Sequence, residues 1–141
     1  MATKKTNTGF DLSSVPAIAE TAEVDLVHPK TGDVLRNGDG DPMTITVYGA
    51  DSPHYRAIQN AQQDKRLQKA ARKQTQNITS AQIQADADEL LIKIVHSWTI
   101  VLNGETPAVD EKTVRQIFSE YPWIKEQIDT GAHDRRNFMK G

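Results

Sequence analysis

Two groups of residues in this sequence have the types and spacing that chemistry requires. The first is Asn37, Asp39 and Asp41, oxygen donors at alternate positions, as at the start of a calcium loop. Such a loop needs Gly at its sixth position and a carboxylate at its twelfth. Those positions hold Pro42 and Tyr48. Asn37-Gly-Asp-Gly-Asp-Pro42 therefore reads as a turn. The second group is Asp86, Asp88 and Glu89 with His96. On a single helix, Asp88 and His96 lie two turns apart and share a face. Neither His-x-x-x-His nor His-Glu-x-x-His occurs, so the acids read more simply as charges favoured near a helix N-terminus.

Other routes to chemistry fail in the same way. The chain has no cysteine, which excludes disulfides and thiolate metal sites and agrees with a reducing compartment. Its serines occur in no Gly-x-Ser-x-Gly elbow. Gly38 and Gly40 precede a strand pattern, whereas phosphate-binding glycines open a helix. The expectation is a protein with no catalytic residues, no metal and no cofactor, and so not an enzyme.

What remains is a candidate binding surface. Lys65, Arg66, Lys69, Arg72 and Lys73 form a basic stretch opposed only by Asp64. It has no interleaved aromatic for base stacking, and the whole chain carries a net charge of −2. Nucleic acid is therefore disfavoured; the stretch reads either as a solvated helix face or as a face offered to an acidic protein partner. Leu67, Ala70 and Ala71 form a narrow apolar seam on the same helix. The candidate partner-binding residues are Tyr55, Lys65, Leu67, Lys69, Ala70 and Lys73.

The elements that position these residues follow from periodicity. Residues 1–14 are polar and read as a disordered arm ending in Phe10 and Leu12. Residues 15–141 read as one α+β domain, as 141 residues suffice for a single core. The β part covers about 22–49. Val24, Leu26 and His28 alternate with Asp25 and Val27, Pro29-Lys-Thr-Gly32 turns the chain, and Val34-Leu35-Arg36 returns. Residues 43–48 alternate with β-branched side chains. The result is a short antiparallel hairpin or meander followed by about four helices, over about 53–131. Ser52 caps the first helix and Pro53 opens it; it runs to about Gln76. The second follows Thr79 or Ser80 and is the central core helix, with Ile83, Ala87, Leu90, Leu91, Ile94, Trp98, Val101 and Leu102 at spacings of three and four and Asn103-Gly104 as its left-handed end. Asp110 caps the third, which buries Val114, Ile117, Phe118 and Tyr121. Pro122 starts the fourth, which carries Trp123, Ile124 and Ile128 and stops at Gly131. The N-terminal Met1-Ala-Thr-Lys-Lys5 has no apolar stretch behind it, so no secretory signal is expected. No apolar run approaches the roughly 20 residues that span a bilayer.

The order of these segments carries a resemblance. Val47-Tyr-Gly-Ala-Asp-Ser-Pro-His-Tyr-Arg56 leads into the Gln/Lys/Arg helix. Then come Ala87-Asp-Glu-Leu-Leu, Val95-His-Ser-Trp98, Asn103-Gly-Glu, and Phe118-Ser-Glu-Tyr-Pro-Trp-Ile-Lys-Glu-Gln-Ile128, with Phe138 near the end. From about residue 20 to 138, the chain resembles the tail assembly chaperones of long-tailed bacteriophages and prophages. The resemblance implies a protein of the host bacterial cytoplasm that binds the tape measure protein, helps recruit the major tail protein and is absent from the mature virion. Association into a homo-oligomer is a further expectation. The rival readings are a virion structural protein, such as a tail-completion or neck component, and a small nucleic-acid-binding regulator using the Lys65 to Lys73 face.

Overall fold

β-branched residues dictate the centre of the structure. In the computed structural model, which describes residues 9–72 and 79–139, Thr44–Tyr48 forms strand β2, between β1 (Thr21–Asp25) and β3 (Val95–Trp98). Both pairings are antiparallel. Val24 pairs with Ile45 and Ile45 with Trp98, so one apolar row crosses the sheet. Ile45 and Val47 are fully buried. The β2–β3 ladder slips after Thr46, leaving His96 without a partner opposite it.

Four helices complete the α+β fold: α1 (Pro53–Ala71), α2 (Ser80–Lys93), α3 (Glu111–Glu120) and α4 (Pro122–His133). Helix α4 packs on β1 and β2, α2 meets β3, and α3 packs on both α2 and α4. Their apolar residues form one core. Leu90, Leu91, Ile94 and Trp98 are buried in the same cluster as Val114, Ile117, Phe118 and Ile124. Gln127 ties α4 to the chain after β1. Its amide nitrogen donates to the Val27 carbonyl and its oxygen accepts from the Val27 N–H, each at 2.9 Å.

Four local expectations are corrected. The second helix ends at Lys93, and residues 95–98 are a strand, so Asp88 and His96 share no helix face. Ile94, Trp98 and Leu102 satisfy a period of two as well as of four, and the β-branched residues around them favour the strand that completes the sheet. Asn103-Gly104 accordingly caps no helix. It is a two-residue turn: Leu102 and Glu105 exchange backbone hydrogen bonds at 2.7 and 3.1 Å, and φ is 53° and 82° at the two central residues. That pairing of positive φ values is what an Asn-Gly hairpin turn uses. The expected return strand at 34–36 is reduced to two isolated bridges, Val27 with Val34 and Arg36 with Pro42.

Gly131 does not stop α4, which runs on to His133. Its role is spatial, because a Cβ there would lie 2.6 Å from a Val24 methyl. The chain then makes a 3-10 turn, Arg135–Phe138, that buries Phe138. The Phe138 ring closes over Gly49, where an added Cβ would sit 2.8 Å away. Of the expected N-terminal arm, residues 1–8 lie outside the described residues. Leu12–Ser14 form a 3-10 turn capped by Asp11, whose carboxyl is held below its ordinary range first by the Ser13 N–H. Phe10 and Leu12 are exposed. Among the described residues no helix is long and apolar enough to cross a membrane.

Candidate partner-binding surface

Helix α1 starts as its sequence dictates. The Ser52 hydroxyl accepts the Tyr55 N–H at 3.2 Å and Pro53 occupies the first turn. Tyr55 is the one buried residue of its 19, and Ile58 is half-buried. Beyond Ile58, α1 leaves the core. It meets α2 through polar groups instead. Gln62 donates to the Asp86 carbonyl at 2.8 Å, and the Arg66 guanidinium pairs with the Asp86 carboxylate, its Nε at 3.0 Å. Nearer the body, His54 Nε2 donates to the Lys93 carbonyl at 3.3 Å while its ring stacks on Tyr48.

Helix α2 mirrors this division. Thr79 caps it by accepting the Gln82 N–H at 3.2 Å, and its buried residues begin only at Leu90. Ile83, expected to be part of the core pattern, is 54% exposed. The far halves of α1 and α2 thus form a projecting hairpin, and a cleft of about 340 Å³ runs along the two helices from His54 and Lys93 near the body to Lys69 and Gln82.

The six candidate residues do not form one surface. Tyr55 belongs to the core, where its ring meets His133 edge-on at 5.8 Å and burial, helped by the Asp129 charge, pushes its hydroxyl pKa up. It is therefore removed from the candidate surface. Lys73 lies outside the described residues. Lys65 and Lys69 line the cleft. Leu67, 61% exposed, stands roughly 160° around the helix from each of them, with Ala70 about 60° from it. The apolar seam and the basic edge therefore face different ways.

Sequence reading missed Ala57 and Ala61, which line the cleft beside Lys65 and Lys69. The signal was present in the four-residue step that joins the four positions. It also missed the Arg66–Asp86 pair, because residues 20 apart in sequence give no local pattern.

The earlier ligand groups are engaged elsewhere. Asn37 Oδ1 accepts the Asp39 and Asp41 N–H groups at 2.9 and 3.0 Å, which builds the turn. Asp88 pairs with Lys125 at 3.0 Å and Glu89 with Arg115 at 2.9 Å. Among the described residues, no group of three or more His, Cys, Asp or Glu side chains is placed to hold a metal ion. Comparison with protein-family models, with curated proteins and with solved structures finds no match.

Proposed function

We propose that this chain is a phage tail assembly chaperone that binds the tape measure protein in the host cytoplasm and helps recruit the major tail protein. The observation that supports the reading most is the α1–α2 hairpin. It extends beyond the core with a polar helix–helix contact and an open cleft lined by Ala57, Ile58 and Ala61. A long helical client exposes amphipathic faces that aggregate when bare, and helix-in-groove capture is a general way to cover them. The segment order described above supplies the specific role. The reading assigns the chain no catalytic step and no cofactor.

The test is co-expression with the tape measure and major tail proteins encoded beside it. The tape measure protein should co-purify and remain soluble only in the chain's presence. Purified virions, analysed by mass spectrometry, should lack the chain. Its stoichiometric presence there would make it a structural component instead.

A further inference from the structure

Ala57, Ala61, Lys65 and Lys69 follow one another at four-residue steps and so form one ridge along α1. All four line the cleft against α2. The ridge is chemically divided, with two small apolar residues toward the body and two cations toward the projecting end. The charges in the cleft are also unbalanced. Lys65, Arg66, Lys69 and Lys93 line it, against Asp86 and Glu89. Asp86 is taken by Arg66, and Glu89 is shared between Arg115 at 2.9 Å and Lys93 at 3.7 Å. Both carboxylates are thus engaged. Among the described residues Lys65 and Lys69 have no ion-pair partner. As like charges one turn apart, they oppose each other.

We propose that this cleft is a docking groove for an acidic amphipathic helix of another protein. The occupant's small or apolar side chains lie on Ala57, Ile58 and Ala61. Its carboxylates, four residues apart, pair with Lys65 and Lys69. The spacing supports a helical occupant: the two lysines are about 6 Å apart along the axis, the same rise that separates side chains at i and i+4 on a partner helix. The alanines allow the close approach that such a pairing needs. Nucleic acid fits worse. The one ring in the lining, His54, is already stacked on Tyr48 at a centroid distance of 3.9 Å, so no base platform is free. The inference rests on the chaperone reading only in taking the partner to be helical; the acidic chemistry comes from the cleft.

The test uses the full chain and two labelled synthetic helical peptides of about 20 residues, long enough to span the groove. One carries Glu pairs at i and i+4 beside an Ala/Leu face; the other has Gln in place of each Glu. By fluorescence anisotropy the Glu peptide should bind, and less well as salt rises. The Gln peptide, and the Lys65→Glu/Lys69→Glu variant with the Glu peptide, should each bind about tenfold more weakly or worse. A Lys-bearing peptide should recover binding to that variant, which controls for misfolding. In the ¹⁵N spectrum, Ala57 and Ala61 amides should shift on addition of the Glu peptide. Equal binding of Glu and Gln peptides would overturn the proposal, as would no binding. So would displacement of the peptide by a single-stranded oligonucleotide, or salt-sensitive self-association in light scattering, which would make a second copy the occupant. Capture of the tape measure protein by the charge-reversed variant at full strength would remove the groove and leave the chaperone reading intact. Binding of the Glu peptide without any capture of the tape measure protein would do the reverse.

Discussion

The body of this molecule and its α1–α2 hairpin are joined by continuous helices, yet they are held together by opposite means. In the body, Ile45, Val47, Ile94 and Ile128 are fully enclosed, and the helices meet the sheet through apolar side chains. In the hairpin the helices meet through Gln62, Arg66 and Asp86, and residues 59–72 and 79–87 include no buried side chain. Apolar burial contributes roughly 25 cal/mol per Å² removed from water, whereas a partly exposed ion pair contributes about 0–1 kcal/mol. The body therefore carries the stability, and the hairpin is free to carry a surface. A helix can be continuous in hydrogen bonding and still change role along its length.

The comparison breaks first where the body is cut. Ile94, the residue at the junction of α2 and β3, is fully buried and contacts the core from the end of the hairpin's second helix. Ile94→Ala should destabilise the fold by about 2–5 kcal/mol, from lost transfer energy and the cavity left behind. Urea denaturation followed by circular dichroism measures it. A loss near that of a surface position, about 0.5 kcal/mol or less, would mean that the body does not depend on this junction.

The same junction shows what the sequence made legible and what it hid. The core residues of α2, α3 and α4 were readable, because Leu90, Leu91, Val114, Ile117, Phe118 and Ile124 repeat at helical spacing and no competing pattern fits. Caps were readable too: Ser52, Thr79 and Asp110 each accept the backbone N–H that their positions predict. β3 was not, because Ile94 and Trp98 fit both periods and the decision belongs to β2, some 50 residues away, which needs a hydrogen-bonding neighbour. The basic edge of the candidate site was visible in composition. Its separation from Leu67 follows from helix geometry alone, but the cleft partner of that edge depends on how α2 returns.

A smaller effect sharpens the contrast inside the body. Asp110 caps α3 by accepting the Thr113 N–H at 2.8 Å, and that backbone hydrogen bond is the main reason its carboxyl is held below the usual range. Asp110→Ala should lower the melting temperature by a few degrees at neutral pH, less than Ile94→Ala. The sign of the pH dependence follows from the direction of the shift. A carboxyl depressed in the folded state contributes stability that is fully present above its unfolded pKa, near 3.9, and is lost as pH falls through the folded value. The gap between wild type and Asp110→Ala should therefore be widest near pH 7 and narrow below about pH 4. Thermal melts across that range check it; a gap that widened in acid would show that the carboxylate is not what caps the helix.

The smallest expected effect tests the hairpin's own two sides. Leu67 is an exposed large apolar residue, and intuition would make it the anchor for a partner. Its position argues otherwise, because it faces roughly 160° away from Lys65 and Lys69 and does not line the cleft. Lone apolar residues on a surface are common and need no function. Leu67→Asp removes that apolar side chain and adds a charge without touching the groove. Folding stability should change by about 0.5 kcal/mol at most, part of it from the lower helix propensity of Asp. Binding of the tape measure protein and of the acidic peptide should weaken by less than about threefold. Lys69→Glu, two residues further on and on the other side, should by contrast weaken both by about tenfold or more while leaving the fold as stable as Leu67→Asp does. The pair of single variants separates two surfaces that a combined variant would merge. A tenfold loss of binding confined to Leu67→Asp would place the partner on the outer face of α1. Loss in both variants would mean that the partner wraps the helix, which a single docked helix in the cleft does not do.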